Sequence, residues 1–321
     1  MQAIAVLASG GDAPGMNAGI RAVTRSALER SAVVWGVEDG YDGLVNHRMH
    51  PLSSRSVSSI MQRGGSILGA GRCEEFLDLE ARKLCVNYLR EHGVEGVVVI
   101  GGDGSMRGAK ELHKLGIATV TVPGTIDNDM PGTSLTIGCD TAINTAMEAI
   151  DRLKETASAH HRAMIVEVMG RNSGYIAVQA GITTGAEMII TPEHPVELSE
   201  IFREMELAGQ RGKRHFIIVT AEGAPLSAPA LTERINAADN PYEARFTVLG
   251  YTQRGGSPSR LDRILATRMG VAAVDALWAG KSDVLVAWQR NGIEVIPADL
   301  DAPRANPWDD TLDKVQRITT T

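Results

Sequence analysis

Two carboxylates on alternate residues occupy the segment Thr125–Asp129, which directly follows an apolar run. In such a pair one side chain, Asp127 or Asp129, could accept a proton from a hydroxyl group while the other lies near a metal ion. Taken alone, the segment is also typical of an Asx-rich turn. Arginines beside acidic and glycine-rich segments favour phosphoryl transfer, because charge on the transferred group must be neutralised. These arginines are Arg162, Arg171 and Arg254.

Two glycine-rich segments have the composition of phosphate-binding loops. Gly101–Ser105 opens a predicted helix, where free backbone N–H groups attract phosphate and glycines allow close approach. Asp103 within it is a hard oxygen ligand, suited to Mg²⁺ that arrives with a nucleotide. Ser9–Asn17 leads into a helix on which Arg21 and Arg25 share a face, and arginine forks match phosphate oxygens. The alternatives are an ordinary capped turn for the first segment and a solvated basic face for the second.

Three other patterns do not predict a site. Ala279–Ser282 looks like the end of a Walker A loop, but Asp275 stands where the first glycine belongs and the segment ends a predicted helix. His160 and His161 are adjacent, so they do not face one metal ion on a helix or strand, and we expect them at the surface. No G-x-G-x-x-G pattern follows the first predicted strand, which argues against a dinucleotide fingerprint.

Short, β-branched apolar runs are the elements that must position these motifs. Such runs are typical of strands buried on both faces, and amphipathic stretches between them predict crossover helices and parallel sheets. Ligands of open α/β sheets bind beyond the carboxyl ends of strands, and five predicted strand ends carry polar or glycine clusters, which favours a shared cleft. The predicted strands are Ala3–Ala8, Val33–Val37, Val97–Ile100, Ala118–Val122, Met164–Val168, Phe216–Thr220 and Val284–Trp288. The predicted helices cover Ala81–Glu91, Met106–Leu115, Ile143–Leu153 and Arg260–Trp278.

The composition is that of an ordinary globular chain of 321 residues, with 43% hydrophobic and 22% charged residues, large enough for one large domain or two lobes. A net charge of -7 argues against a general nucleic-acid binder and against binding to anionic membranes. Without a long apolar run or a basic leader, we expect neither a membrane span nor a signal peptide. Cys73, Cys85 and Cys139 have no paired spacing, which suits a cytoplasmic location and excludes a disulfide framework.

Read together, the motifs resemble those of bacterial ATP-dependent 6-phosphofructokinases over essentially the whole chain. The resemblance implies the phosphofructokinase-type α/β fold, with two Rossmann-like lobes and mostly parallel sheets. It implies a nucleotide-binding lobe at 1–138 plus 251–303 and a sugar-phosphate-binding lobe at 139–250 plus 304–321. It also implies a homotetramer. The matching segments are Ser9–Asn17, Gly101–Ser105, Pro123–Asp129, Val166–Arg171 and Thr247–Pro258.

The resemblance further implies the roles of single residues. Asp127 matches the catalytic base, which takes the proton from the 1-hydroxyl of fructose 6-phosphate. Thr125 and Arg171 match groups that orient and neutralise the γ-phosphoryl of ATP, and Gly11 matches a backbone donor to it. Asp103 matches the magnesium position. The products would be fructose 1,6-bisphosphate and ADP.

Further positions match the family's two substrate pockets. In the family, the residues that match Arg162 and Arg245 reach across from a neighbouring subunit. The nucleotide positions are Gly11, Tyr41, Arg72, Cys73, Phe76, Gly102, Asp103, Gly104, Ser105 and Gly108. The sugar-phosphate positions are Thr125, Asp127, Asp129, Arg162, Met169, Gly170, Arg171, Glu222, Arg245, Tyr251 and Arg254.

Several positions decide between branches of the family or depart from it. The pyrophosphate-using branch carries Asp and Lys where this chain has Gly104 and Gly124, so the glycines leave room for ATP. Tyr251 replaces a histidine that contacts the sugar 6-phosphate, and it carries no positive charge. Arg107 replaces an apolar residue near the nucleotide.

The family's site for an ADP or phosphoenolpyruvate effector is only partly matched. Ser54, Ser59 and Lys154 replace Arg, Asp and Arg, and Arg55 is a candidate substitute for the first of these. Lysine lacks the planar fork of arginine. We therefore expect anion binding to persist with altered regulation. The effector positions are Arg21, Arg25, Arg55, Lys154, Gly185, Glu187, Arg211 and Lys213.

Two other functions are weighed against a kinase. A non-catalytic nucleotide-sensing subunit would be expected to lack the proton acceptor or the γ-phosphoryl arginine, yet Asp127 and Arg171 are both present. A pyrophosphate-dependent enzyme is disfavoured by the two glycines named above. The segment from Gly292 to Thr321 holds no interpretable motif, and its part Asp299–Trp308, rich in Pro and Asp, predicts an irregular tail.

Overall fold

The chain divides into two units in the computed structural model, which describes residues 1–290, 292–308 and 310–320. The first unit comprises Met1–Thr141 and Arg254–Ala305, and the second comprises Ala142–Gln253 and Asn306–Thr321. Each unit has its own sheet and its own buried apolar core.

The strands and helices alternate along most of the chain. The strands are β1 (Ala3–Ser9), β2 (Val33–Val37), β3 (Met49–Pro51), β4 (Val94–Gly101), β5 (Ala118–Thr125), β6 (Ile137–Gly138), β7 (Arg162–Val168), β8 (Met188–Ile190), β9 (Phe216–Ala221), β10 (Glu243–Val248), β11 (Val284–Gln289) and β12 (Gly292–Pro297). The α-helices are α1 (Met16–Glu29), α2 (Tyr41–Val45), α3 (Leu79–Glu91), α4 (Asp103–Lys114), α5 (Cys139–His160), α6 (Tyr175–Thr184), α7 (Leu198–Gln210), α8 (Ala228–Asn236), α9 (Arg260–Trp278) and α10 (Asp310–Thr320).

The sheet of the first unit runs in the order β12-β11-β5-β4-β1-β2-β3, with β6 paired to the end of β5. Its central strands are parallel, while the outer pairs β11–β12 and β2–β3 are antiparallel. Every residue of β1 is buried, as expected for a central strand covered by helices on both faces. The helices α1 and α9 pack against each other in this unit, and both contact the sheet.

The sheet of the second unit runs in the order β10-β7-β9-β8, and all its pairs are parallel. Its core includes Phe216, Ile218, Ile201 and Met205 from the sheet and α7. The mostly parallel α/β architecture predicted from the sequence is therefore confirmed. Among the residues that the structure describes, no helix is both long and apolar enough to cross a membrane.

All seven predicted strands are present, with ends that differ by at most three residues. The helix predicted at Arg260–Trp278 matches α9, whereas α4 begins at Asp103, inside the glycine-rich segment and before the predicted start at Met106. The irregular course expected for Asp299–Trp308 is confirmed. Five strands (β3, β6, β8, β10 and β12) and five helices (α2, α6, α7, α8 and α10) were not predicted. Two of these elements, β12 and α10, lie in the C-terminal segment that showed no motif.

A buried carboxylate fastens the start of α5 to α9. Asp262 in the first turn of α9 is 1% exposed, and it accepts hydrogen bonds from the backbone N–H groups of Gly138 and Thr141, both at 2.8 Å. The Thr141 hydroxyl also donates to it. Burial raises the pKa of Asp262 above its ordinary value, and these three donors oppose that rise. The side chain thus satisfies N–H groups that the first turn of a helix leaves without partners.

We predict that Asp262→Ala lowers the free energy of unfolding by about 3 kcal/mol, because two buried N–H groups lose their acceptor. The matched control is Asp275→Ala on the same helix, where an exposed ion pair with Arg30 is lost. That control is expected to cost less than about 1 kcal/mol. Urea denaturation of both variants measures the difference, and equal losses would contradict the role given to Asp262.

Candidate active site

Three polar segments of the first unit lie at one edge of its sheet. In the hydrogen-bonded register, Ser9 of β1 pairs with Gly101 of β4, and Gly101 pairs with Pro123 of β5. The residues that follow each strand therefore emerge side by side. These are the two glycine-rich segments and the acidic segment identified in the sequence, so their convergence at the carboxyl edge is confirmed.

The acidic segment is buried and internally braced. Asp127 is 6% exposed, and its backbone N–H donates to the Thr125 hydroxyl at 3.2 Å. The Thr136 hydroxyl donates to the Thr125 carbonyl at 2.7 Å. Asn128 adopts a left-handed backbone conformation (φ 50°), and its side-chain amide donates to the carbonyl of Ser134. Asparagine tolerates this conformation better than most residues, so the turn keeps Asp127 at the sheet edge.

The Arg304 guanidinium lies beside Asp129, and this contact was not predicted. It donates to the Asp129 carbonyl oxygen and lies 4.0 Å from the Asp129 carboxylate. Arg304 belongs to the irregular C-terminal segment, where no spacing or periodicity could have pointed to it. The acidic segment therefore has a cation beside it that comes from the far end of the sequence.

The glycine-rich segment Gly101–Ser105 runs from the end of β4 into the start of α4. The Gly104 N–H donates to Asp103 Oδ1 at 2.7 Å, and Arg107 lies 3.4 Å from the other carboxylate oxygen. The Ser105 hydroxyl donates to the Ser9 carbonyl at 3.0 Å, which links α4 to the end of β1. A Cβ atom at Gly104 would meet no protein atom within 4 Å, so the helix surface is open at this residue.

An aromatic pair packs beside this helix. The Tyr41 and Phe76 rings stack with centroids 4.2 Å apart, and the Tyr41 hydroxyl donates to the Ser105 carbonyl at 2.6 Å. Burial raises the pKa of the Tyr41 phenol well above its ordinary value. A methyl group at Gly108 would come within 2.5 Å of the Tyr41 ring, so only glycine fits there. Cys73 packs against the same apolar cluster.

The loop after β1 receives contacts from two distant segments. The Gly10 N–H donates to the Gly71 carbonyl at 3.0 Å, which places the exposed Arg72 next to this loop. Arg254 donates to the Asp12 carbonyl at 3.1 Å. Its guanidinium lies so close to Gly11 that a Cβ atom added there would be only 2.6 Å from it. Arg254, predicted at the sugar phosphate, thus lies against a glycine-rich loop of the first unit.

In the second unit, the segment Met169–Arg171 follows β7 and Glu222 follows β9. These strands pair in register through Val168 and Ala221. One Glu222 carboxylate oxygen accepts hydrogen bonds from the N–H groups of Gly170 at 3.2 Å and Arg171 at 2.5 Å. The structure therefore brings together four of the predicted sugar-phosphate positions.

Arg162 and Arg245 lie elsewhere in the same unit. Arg162 begins β7 and Arg245 pairs with Met164, so both stand towards the amino end of the sheet. At the usual rise of a strand, Arg162 is about 20 Å from the carboxyl end of β7. Glu243 pairs with both arginines, at 3.1 Å from Arg162. Tyr251 is 83% exposed, in a short turn after β10.

The predicted effector positions fall into one group in each unit. In the first unit, Arg21 and Arg25 lie on one face of α1 and line a cavity of about 250 Å³ with Thr267 and Val271 of α9. Arg55 is exposed.

In the second unit, Lys154 donates to the carbonyls of Thr184 at 2.6 Å and Gly185 at 3.4 Å. Glu187 lies 3.2 Å from the Lys213 ammonium and accepts the Ile217 N–H at 2.7 Å. Arg211 is exposed just after α7.

His215 belongs to the second of these groups and was missed in the sequence. It shares a hydrogen bond of 2.7 Å with the Ser158 hydroxyl and lies 3.8 Å from Glu187. Burial lowers the pKa of His215. The nearby positive charges of Lys154 and Lys213 lower it further, whereas the negative charge of Glu187 opposes the shift. The sequence did contain one signal for His215: it stands two residues after Lys213, and alternate residues of an extended chain point to the same side.

Comparison with known proteins agrees with this arrangement. The model of the family described as Phosphofructokinase matches residues 3–277. The chain is 48% identical over 305 residues to the ATP-dependent 6-phosphofructokinase of Shouchella clausii, covering 94% of this chain and 95% of that protein. The chain belongs to the phosphofructokinase family.

Solved structures of the phosphofructokinase family have the same fold. The phosphofructokinase of Saccharomyces cerevisiae is 32% identical with a TM-score of 0.85, and the match covers 99% of this chain but only 46% of the yeast chain. A pyrophosphate-dependent phosphofructokinase from Marinobacter aquaeolei also has a TM-score of 0.85, at 21% identity, covering 100% of this chain and 92% of that one. The latter likeness shows the fold alone, so the fold does not distinguish the two phosphoryl donors.

Two of the three patterns rejected in the sequence are also rejected by the structure. Lys281 and Ser282 come after the C-terminal end of α9, and a phosphate-binding loop would instead precede a helix. His160 and His161 are both exposed. In the ranges that the structure describes, no group of three or more His, Cys, Asp or Glu side chains is arranged to hold a metal ion.

We predict that Cys73 is the thiol that alkylates in the folded protein. Burial raises the pKa of Cys85 to about 12 and that of Cys139 well above its usual value, whereas Cys73 is partly exposed. Only the thiolate reacts. Iodoacetamide at pH 8 followed by peptide mass spectrometry should label Cys73 first, and all three cysteines once guanidinium has unfolded the chain. Rapid labelling of Cys85 in the folded state would contradict this assignment.

Proposed function

We propose that this protein is an ATP-dependent 6-phosphofructokinase. It transfers the γ-phosphoryl group of Mg-ATP to the 1-hydroxyl of fructose 6-phosphate, giving fructose 1,6-bisphosphate and ADP in glycolysis. The observation that carries the proposal is the buried carboxylate of Asp127 at a sheet edge that also presents two glycine-rich, phosphate-compatible loops. The curated relative at 48% identity bears the name of this activity.

Asp127 is the proposed general base. An alcohol is a poor nucleophile, and a positioned carboxylate that accepts its proton during attack accelerates the transfer. The hydrogen bonds made by Thr136 and Asn128 support this role, because they hold the backbone on both sides of Asp127. Thr125 and the backbone N–H of Gly11 are proposed to orient the γ-phosphoryl group, and Arg171 to neutralise its charge.

Magnesium is proposed to bind at Asp103. The side chain is 20% exposed at the start of α4, and Mg²⁺ is commonly held by one or two carboxylates together with substrate phosphates. A single protein carboxylate therefore fits an ion that arrives with the nucleotide. When bound, Mg²⁺ would neutralise charge on the β- and γ-phosphates.

The first unit is proposed to bind the nucleotide. A Cβ atom at Gly104 would meet no protein atom within 4 Å, which supports room for a nucleotide phosphate that the larger aspartate of the pyrophosphate-using branch would reduce. A side chain at Gly124 would come within 3.0 Å of Ile100 and 3.2 Å of Met16, so this position also favours glycine for packing. Tyr41, Phe76, Cys73, Ser105 and Gly108, which lie close together, are proposed to form a wall of the nucleotide pocket. Arg72 is proposed to contact the nucleotide phosphates.

The second unit is proposed to bind the sugar phosphate. Met169, Gly170, Arg171 and Glu222 meet at one sheet edge, which supports their assignment to one pocket. Arg162 and Arg245 lie towards the other end of the same sheet. That position supports the proposal that they serve a neighbouring subunit in a homotetramer.

Three further assignments remain proposals. The groups that contain Arg21 and Lys213 are proposed to bind an ADP or phosphoenolpyruvate effector, because each clusters basic side chains. Tyr251 is proposed to donate one hydrogen bond to the sugar 6-phosphate. A cytoplasmic location is proposed from the three free cysteines.

A coupled assay that varies both donor and acceptor tests the activity. We expect turnover with ATP and fructose 6-phosphate, with kcat/KM at least about 10²-fold higher for ATP than for pyrophosphate. This is the size of effect expected from one preorganised charge contact, and the charged residues of the pyrophosphate-using branch are replaced here by Gly104 and Gly124. Glucose 6-phosphate, which presents no equivalent primary alcohol, serves as the control acceptor. Turnover with pyrophosphate but not with ATP would reverse the choice of donor.

The role of Asp127 is tested by Asp127→Ser. We expect kcat to fall at least about 10²-fold, because a positioned base typically contributes 10²–10⁴-fold. Asp151→Ser, which removes an exposed carboxylate from α5, is the control and should keep normal turnover. Steady-state kinetics at saturating ATP measure both variants, and near-normal turnover of Asp127→Ser would remove that residue from the role of base.

A further inference from the structure

The loop between β7 and α6 holds Arg171 in a conformation that arginine does not favour. The backbone φ angle is 59° at Arg171, in the left-handed region, and 148° at the preceding Gly170. Residues with a Cβ atom seldom adopt this region, so the surroundings must stabilise it. Such outliers concentrate at functional sites, and this one bears the arginine that we propose neutralises the γ-phosphoryl group.

The start of the loop is held by a carboxylate. Glu222 accepts the N–H groups of Gly170 and Arg171, as described above. Within the loop, the Ser173 N–H donates to the Gly170 carbonyl at 2.9 Å and closes a turn. Gly223 packs so closely against the Arg171 carbonyl that a Cβ atom there would clash.

The end of the loop is held by a second carboxylate that no motif indicated. The Gly174 N–H donates to both oxygens of Glu193, at 2.9 Å and 3.1 Å. A Cβ atom at Gly174 would lie 2.7 Å from one of these oxygens and would also clash with Thr191. Only glycine allows this close approach, so the segment Thr191–His194 fits directly against the loop.

The segment that carries Glu193 is itself anchored by the C-terminal part of the chain. The Thr191 hydroxyl oxygen accepts the His194 N–H at 3.0 Å and the Trp308 indole N–H at 3.1 Å. The Trp308 and His194 rings lie 5.2 Å apart. The backbone around Glu193 is therefore held by the contacts of Thr191, although Glu193 itself is largely exposed.

We propose that Glu193 is a positioning residue for Arg171. Its carboxylate fixes the Gly174 end of the loop while Glu222 fixes the Gly170 end, and the two together hold Arg171 in its left-handed conformation. Glu193 touches neither substrate in this proposal. The inference rests on the proposed function of Arg171 in phosphoryl transfer.

Three single variants test the proposal in the full-length protein. Glu193→Ala removes the acceptor, and we expect kcat to fall about tenfold, because displacing a reacting group by 1 Å can cost up to 10²-fold. Glu193→Gln keeps one carbonyl acceptor for the Gly174 N–H and should restore kcat to within about twofold of the parent. Glu197→Ala removes the same charge from an exposed residue four positions later, at the start of α7, whose side chain makes no capping hydrogen bond, and it should leave kcat unchanged.

A double-mutant cycle with Arg171→Ala separates positioning from a merely structural effect. If Glu193 acts through Arg171, Glu193→Ala should cost less than about twofold in kcat once Arg171 is absent, because coupled residues are not additive. A repeated tenfold loss in the Arg171→Ala background would overturn the proposal. So would an unchanged kcat in the single Glu193→Ala variant.

Hydrogen exchange gives a readout that does not depend on the activity. Glu193→Ala should speed exchange at residues 170–175 at least about tenfold, whereas Glu193→Gln and Glu197→Ala should not. Unchanged exchange at this loop overturns the positioning role, whatever the kinetics. If the parent protein lacks kinase activity with fructose 6-phosphate, the proposed function fails, and the exchange result alone decides whether Glu193 holds the loop.

Discussion

The hydrogen-bonded register of adjacent parallel strands is the constraint on which the candidate site depends. Ser9, Gly101 and Pro123 stand side by side in three neighbouring strands, so the segments after them cannot separate without breaking the sheet. The apolar side chains of those strands are buried on both faces, which makes a shift in register costly. Short polar loops, each flexible in isolation, thereby share one fixed edge.

Carboxylates that accept hydrogen bonds from backbone N–H groups stabilise the protein at several places. Asp262 holds the start of α5, Glu222 and Glu193 hold the two ends of the Arg171 loop, and Asp78 caps α3 by accepting the Ala81 N–H at 3.0 Å. Hydrogen bonds to a charged acceptor are stronger than those between neutral groups. The irregular segments of this protein are therefore held by specific acceptors as well as by apolar packing.

The central strands and the loops after them could be predicted because each carries a local signal. Val97–Ile100 is continuous and β-branched, and Gly101–Ser105 follows at once, so both the strand and the loop are visible in one short stretch. By contrast, β10 is a half-exposed edge strand with Arg245 and Phe246 in it, and its mixed pattern is typical of many loops. The three-residue strands β3 and β8 are too short to show any periodicity.

Contacts between distant segments could not be predicted from one sequence. Glu193 and Gly174 are 19 residues apart, and neither belongs to a pattern that announces the hydrogen bond between them. Asp127 and Asp103 were identified because each lies in a recognisable motif, and the chemical roles assigned to them remain predictions. Arg304 and Trp308 carried no signal, since a Pro- and Asp-rich stretch does not reveal which of its side chains makes a long-range contact.

The C-terminal tail matters more than its irregular course indicates. A chain clipped by a protease after Pro303 would retain every recognisable motif and both sheets. It would nevertheless lose the guanidinium beside Asp129 and the indole that anchors Thr191. Intact mass is therefore a necessary quality criterion for any preparation of this protein, and an affinity tag is better fused at the other terminus.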